Sequence, residues 1–147
     1  MFATRPFSPT DIPAIVNIVN ESLGENYPPS LYLTIHNLWR DGFIVLVEDG
    51  KIAGFVAAVP SGTRIARVLM LAVLPGHRKR NAGQQLMGEL CRSCIMSGMD
   101  TVILEVRKSN KTAISFYERQ GFAICGEIAK FYSNGEDAFK MTKTLQS

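Results

Sequence analysis

Two stretches of this sequence carry residue types that can do chemistry. The first is Val73-Leu74-Pro75-Gly76-His77-Arg78-Lys79-Arg80-Asn81-Ala82-Gly83-Gln84-Gln85-Leu86. An apolar run ends, a turn follows at Pro75-Gly76, and a helical pattern opens inside a basic run. The first backbone N–H groups of a helix have no partner within it and lie at the positive end of its dipole. They therefore suit a pyrophosphate. Asn81 tolerates a left-handed backbone, and Gly83 puts no side chain in the way of a close approach. Arg78, Lys79 and Arg80 add attraction for anionic oxygens. The spacing matches neither the Walker A loop nor the Rossmann fingerprint, and a solvated basic turn would read the same way.

The second stretch runs from Leu104 to Phe122. Glu105 stands in an apolar strand pattern, where burying an unpartnered charge is costly. It belongs either to a working site or to an exposed sheet edge. Tyr117 reads as a proton-bearing group or as a core aromatic whose hydroxyl finds a partner. Asn110 suits a helix N-cap, with Ser109 as the neighbouring candidate.

These residues need elements to hold them. Phe2 to Pro6 reads as a first strand. Thr10 or Asp11 caps a helix with Ile12, Ile15, Val16, Val19 and Leu23 at helical spacing. After the loop Gly24-Glu25-Asn26-Tyr27-Pro28-Pro29, a second helix spans Leu31 to Trp39. Ile44 to Glu48 and Lys51 to Val59 form a hairpin about Asp49-Gly50, and Thr63 to Val73 extends it. A helix covers Gly83 to Ser97 and closes at Gly98. Val102 to Val106 is a buried strand and Thr112 to Gln120 a short helix. Ala123 to Phe131 and Asp137 to Leu145 are final strands around Asn134-Gly135. The order β-α-α-β-β-β-α-β-α-β-β predicts an α/β fold with a mixed sheet and helices on both faces.

The pattern Arg78-x-x-Asn81-x-Gly83, preceded by Leu71-Ala72-Val73-x-Pro75, resembles the acyl-coenzyme A loop of the GCN5-related (GNAT) N-acetyltransferase superfamily. Asn81 stands where the family more often has glycine. Leu104-Glu105-Val106-Arg107-Lys108-Ser109-Asn110, followed by Ala113, Tyr117 and Gly121-Phe122, resembles the RimI-type segment of that superfamily. Glu25-Asn26-Tyr27-Pro28 is similar to the substrate-side loop of archaeal and eukaryotic N-terminal (Nα) acetyltransferases. Lys130-Phe131-Tyr132 with Gly135-Glu136-Asp137-Ala138 is similar to their closing hairpin.

The resemblance implies the GNAT fold. That is a mostly antiparallel sheet of six to seven strands with about four helices, its central strands splayed to hold acetyl-CoA. It implies acetyl transfer from acetyl-CoA to the free α-amino group of a protein or peptide N-terminus, by direct attack in a ternary complex. It assigns Glu105 as the base, through a water, and Tyr117 as the acid at the coenzyme sulfur. Leu71, Ala72 and Val73 would pair with the pantetheine arm as an added strand, and Asn110 and Tyr117 would also contact the coenzyme. Arg78, Lys79, Arg80, Asn81, Ala82, Gly83 and Gln84 would hold the phosphates. Glu25, Tyr27 and Tyr132 would wall the peptide groove. The coenzyme loop alone does not separate this activity from acetylation of a small-molecule amine or a lysine side chain. A non-catalytic acyl-CoA-binding module is a further alternative, against which Glu105 and Tyr117 speak.

The bulk properties are compatible with this. The chain has 147 residues, 46% of them apolar and 20% charged, and reads as one domain over residues 1–147. Its net charge of +3 is too small to imply nucleic-acid binding. It shows no signal-peptide pattern and no run of the roughly 20 apolar residues a spanning helix needs. The expectation is a cytoplasmic protein, a monomer or weak homodimer, with no membrane or direct nucleic-acid partner. Its acceptors would be protein N-termini, including nascent chains or a ribosomal protein. Cys91 and Cys94 lack a second pair or nearby His and read as buried thiols, so no metal is expected. His36 and His77 read as surface residues.

Overall fold

The fold is described from a computed structural model covering residues 2–146, without the side chains of residues 78–80. Seven strands form one sheet: β1 (Phe2–Pro6), β2 (Phe43–Glu48), β3 (Lys51–Pro60), β4 (Ile65–Val73), β5 (Thr101–Arg107), β6 (Ala123–Ile128) and β7 (Ala138–Thr144). Their order across the sheet is β1-β2-β3-β4-β5-β7-β6. Every pairing is antiparallel except β4 with β5. Helices α1 (Ile12–Leu23), α2 (Pro29–Leu38), α3 (Ala82–Met96) and α4 (Lys111–Arg119) complete the chain.

The connections follow local chemistry. The β2–β3 hairpin turns at Asp49 and Gly50, both at positive φ, as a two-residue Asp-Gly loop requires. A parallel β4–β5 pair cannot be joined by a short turn, and α3 supplies the crossover. Asp11 stands at the start of α1, but its carboxylate accepts the Ser8 N–H at 2.8 Å and the Arg5 guanidinium at 2.8 and 2.9 Å. It thus ties the end of β1 to the turn rather than capping the helix.

Apolar side chains sort onto the two sheet faces. Ile15, Ile18, Val19, Tyr32 and Ile35 of α1 and α2 pack on Phe43, Val45, Phe55 and Ala57. Leu86, Met87, Leu90 and Cys94 of α3 pack with Val56, Val68, Val102, Leu104 and Val106 on the other face. Each large apolar side chain so buried contributes about 1.5–3 kcal/mol. Cys94 is fully buried, and burial pushes its thiol up to about 12. Cys125, by contrast, is exposed.

The feature that makes the site is a divergence in the middle of the sheet. Ala57 pairs with Met70 but Ala58 with Val68, leaving Leu69 as an extra residue in β4. Such a bulge bends its strand. β4 and β5 pair only through Ile65, Ala66 and Arg67 against Thr101, Val102 and Ile103, although the strands run on to Val73 and Arg107. Beyond Arg67 the two strands part and open a cleft.

Three expectations need correction. β6 ends at Ile128, not Phe131, because Lys130 turns to φ 52° and its N–H is taken by Asp137 Oδ1 at 2.9 Å. Tyr132 is therefore in a loop. His36 is buried on the end of α2 with its ring edge-on to Phe7. His77 is half-buried and hydrogen-bonded to the Glu48 carboxylate. Neither is a surface residue, because each imidazole packs its apolar ring while a neighbour meets its polar edge or face.

Candidate active site

The cleft between β4 and β5 collects the predicted residues from both arms of the chain. On the β4 side, Leu74 N–H donates to Ala53 O at 2.8 Å. Alternation along an antiparallel ladder then directs the Ala72 backbone groups into β3 and turns those of Leu71 and Val73 toward the cleft. Of the three backbone contacts expected for a pantetheine arm, Ala72 is thus committed to the sheet. The Val73 carbonyl already accepts the Ser22 hydroxyl of α1 at 3.2 Å.

The basic loop folds as a 3-10 turn, Pro75–Arg80, followed by Asn81 at φ 60°, ψ 26°. This is the left-handed conformation expected for Asn81, reached at small cost by that residue type. The first α3 bond is Gln85 N–H to Asn81 O, 3.0 Å. The amides of Ala82, Gly83 and Gln84 precede it and stand at the positive end of a 15-residue helix. A diphosphate fits this chemistry. The side chains of Arg78, Lys79 and Arg80 lie outside the described residues. Gly83 has a second reason to be small: a Cβ there would stand 3.1 and 3.2 Å from the Phe116 ring of α4.

On the β5 side, strand alternation puts Val102, Leu104 and Val106 in the core and leaves Ile103, Glu105 and Arg107 on the opposite face. Glu105 is not unpartnered. Arg67 of β4 donates from Nε at 3.0 Å and from Nη2 at 2.9 Å to Glu105 Oε1. The Glu105 side chain is 12% exposed and that of Arg67 36%, so the carboxylate is largely enclosed while the guanidinium still meets water. Arg67 was not singled out from the sequence. Nothing local marks it, since it meets Glu105 only through the parallel register of β4 and β5.

Asn110 caps α4, its Oδ1 accepting the Ala113 N–H at 3.1 Å. Its amide NH2 is left to donate, so capping and a coenzyme contact are compatible. Tyr117 projects from α4 into a nest of aromatic rings, edge-on to Phe116 at 5.3 Å and to Phe122 at 5.7 Å. Burial first, and the Tyr132 hydroxyl second, push the Tyr117 phenol up to about 12. Tyr117 is therefore neutral at any physiological pH.

Tyr132 comes in from the β6–β7 loop. Its own phenol is raised by burial and by Glu105 and Glu136, and lowered by Arg107. Tyr117, Tyr132 and Glu105 thus share one neighbourhood. Tyr27, from the α1–α2 loop, is raised by burial and Glu25 and lowered by Arg107. Tyr27 thus has Glu25 and Arg107 as electrostatic neighbours, and Tyr132 has Arg107, Glu105 and Tyr117. Arg107, which the sequence showed only within the RimI-type segment, is an electrostatic neighbour of the tyrosines of both loops. Its Cζ lies 4.0 Å from the Tyr132 ring centroid.

The arrangement offers a carboxylate held by an arginine, a phenol that keeps its proton, and a helix start suited to phosphates, all at the rim of one cleft. Residues 12–122 match the acetyltransferase (GNAT) family. An N-alpha-acetyltransferase from Sulfurisphaera tokodaii is 28% identical over 148 residues, covering 92% of this chain and 89% of that protein. Ard1 from Thermoplasma volcanium superposes with a TM-score of 0.94 at 33% identity, covering 99% of both chains. The ribosomal-protein-S18-alanine N-acetyltransferase of Escherichia coli superposes with a TM-score of 0.86 at 25% identity, covering 100% of this chain and 96% of that one.

Proposed function

Because this chain belongs to the acetyltransferase (GNAT) family, we propose that it is an acetyl-CoA-dependent enzyme that acetylates the free α-amino group of a protein or peptide N-terminus. The reading is supported by two tyrosine-bearing loops that share Arg107 as an electrostatic neighbour, Tyr27 on one and Tyr132 on the other, with Tyr132 also close to Tyr117 and Glu105. The likeness to an N-alpha-acetyltransferase from Sulfurisphaera tokodaii supports the same acceptor.

In this reading the α3 amides of Ala82, Gly83 and Gln84, with the basic turn before them, hold the diphosphate, and the pantetheine arm runs along the open edge of β4. Leu71 offers its backbone groups to that arm, and Asn110 its amide. Acetyl-CoA supplies the activated acyl carbon. The residues of this chain then manage two protons. A free α-amino group has a pKa of about 7.7–8.0, so a modest base is enough to deprotonate it. Glu105, held by Arg67, accepts that proton through a water. Tyr117 donates a hydrogen bond to the sulfur as charge develops on it. A phenol at about 12 is a weaker acid than a thiol at about 8.5. Tyr117 thus shares its proton during bond breaking, and in the net balance the sulfur takes up the proton the amine loses.

The reading places the enzyme in the cytoplasm, as a monomer or weak homodimer, with nascent chains and ribosomal proteins among its acceptors. The E. coli neighbour is described as acting on an alanine of ribosomal protein S18. Among the described residues no helix is long and apolar enough to cross a membrane. The test is release of free CoA from acetyl-CoA with short peptides. Turnover is expected with a free α-amine and lost when that amine is blocked. Equal turnover on α-blocked peptides with a free lysine, or faster turnover on small amines, would move the assignment to those acceptors.

A further inference from the structure

Tyr132 has to present its ring and hydroxyl from residues 129–137, which carry no strand or helix. The base of this loop is pinned by backbone contacts: Lys130 N–H to Asp137 Oδ1 at 2.9 Å, and Lys108 N–H to Asp137 O at 3.2 Å. The tip has two backbone bonds, Tyr132 N–H to Glu136 O at 3.2 Å and Gly135 N–H to Tyr132 O at 2.9 Å, and side chains fix it to the rest of the fold. Arg107, the last residue of β5, stacks its guanidinium on the Tyr132 ring, 4.0 Å from the centroid. The same group donates from Nη1 to Glu136 Oε2 at 2.6 Å and to Asn134 Oδ1 at 3.2 Å. Glu136 also accepts the Ser109 hydroxyl on Oε1 at 2.6 Å and the Asn134 amide on Oε2 at 3.0 Å. The closing loop is therefore clamped onto the junction of β5 and α4, which carries Glu105 two residues before the arginine.

We propose that Arg107 is a positioning residue for acyl transfer: clamped by Glu136, its planar guanidinium is the platform that holds Tyr132 over the acceptor end of the cleft. This rests on the N-terminal acetyltransferase reading for the identity of the acceptor. The platform needs an arginine. A planar fork stacks on a ring face while its edge still donates to a carboxylate, whereas an ammonium is a point charge that does not do both. The acceptor should feel the clamp more than the coenzyme's phosphates do, because the contacts of Arg107 and Glu136 run to the Tyr132 loop and Ser109 rather than to the start of α3.

The experiment uses the whole chain with Arg107→Gln and Arg107→Lys. Amide hydrogen exchange, measured without peptide, is expected to speed up at least tenfold at residues 131–136 in Arg107→Gln and to stay unchanged in β7. The KM for peptide should rise at least tenfold while that for acetyl-CoA stays within twofold. In a Tyr132→Ala background, Arg107→Gln should add less than twofold, since the arginine acts through the ring it holds. Arg107→Lys should keep most of the defect. Unchanged exchange at the tip, an effect that multiplies with Tyr132→Ala, or full rescue by lysine would each overturn the proposal. Exchange is read without any acceptor, so failure of the clamp is distinguishable from a wrong acceptor, which would show as wild-type protein inactive on peptides.

Discussion

Arg67 and Glu105, 38 residues apart in sequence, meet at 2.9 Å where β4 and β5 begin to part. The pair bridges the two strands and fixes the Glu105 carboxylate between them. It also answers how an acid is tolerated in this strand: the charge has a partner, and the partner comes from the neighbouring strand rather than from water.

If Glu105 receives the amine proton, Glu105→Gln should lower kcat by about 100-fold, the low end for a general base. Folding should be little affected, because the amide oxygen still accepts from Arg67. Steady-state rates at saturating substrates check this; an undiminished kcat would remove Glu105 from the mechanism.

Arg67→Met leaves the mostly enclosed Glu105 carboxylate without its donor. A loss of about 1–3 kcal/mol in stability is expected, read by urea unfolding. The loss should shrink in the Glu105→Gln background, because the two residues form one interaction.

Tyr117→Phe should reduce kcat by about 100-fold with acetyl-CoA affinity nearly unchanged, and the wild-type pH–rate profile should show no loss from phenol ionisation below about pH 10. The raised Tyr117 pKa, about 12 against an ordinary 10.0, also fixes a stability trend. Between these values the folded state holds more protons than the unfolded state. Stability from this group is thus complete below pH 10 and falls as pH climbs toward 12. Unfolding midpoints measured from pH 8 to 12 test the direction.

Glu136 works in the opposite sense. Hydrogen bonds from Ser109, Asn134 and Arg107 lower its pKa from 4.5 to about 2. Its contribution is therefore present above pH 4.5 and lost as pH falls toward 2. Tyr132 ring signals followed by NMR should report loosening of the loop over that acidic range and not near neutrality.

The phosphate loop is best probed at Asn81. Asn81→Val places a β-branched residue at φ 60°, which disfavours the turn by about 1–2 kcal/mol, and should weaken CoA binding in calorimetry. Asn81→Gly should bind normally. Gly83→Val is a poorer probe than its sequence implies, since the new side chain would also collide with Phe116.

Local chemistry made much of this protein legible from its sequence. Apolar spacing marked the helices, Asp49-Gly50 the hairpin, and Asn81 the left-handed turn into α3, because each depends on neighbours in the chain. The element order, with the family motifs around Asn81 and Tyr117, implied the fold, and the Glu25-Asn26-Tyr27-Pro28 loop with the Tyr132 hairpin implied the acceptor class. The ends of elements were less legible: α2 starts at Pro29, and β6 stops at Ile128, beyond which the Asp137 side chain takes the Lys130 N–H.

Tertiary structure alone decided what holds the reactive groups. The bulge at Leu69 opens the cleft, and it exists only as a mismatch between two strands. Arg67 reaches Glu105 through a parallel register that no local pattern encodes. Arg107 finds the Tyr132 ring and Glu136 because the chain returns after α4 and β6 to the end of β5. Which residues can do chemistry is a property of their side chains, written in sequence. Which of them meet, and with what charge beside them, depends on contacts between distant segments that form only when the sheet assembles.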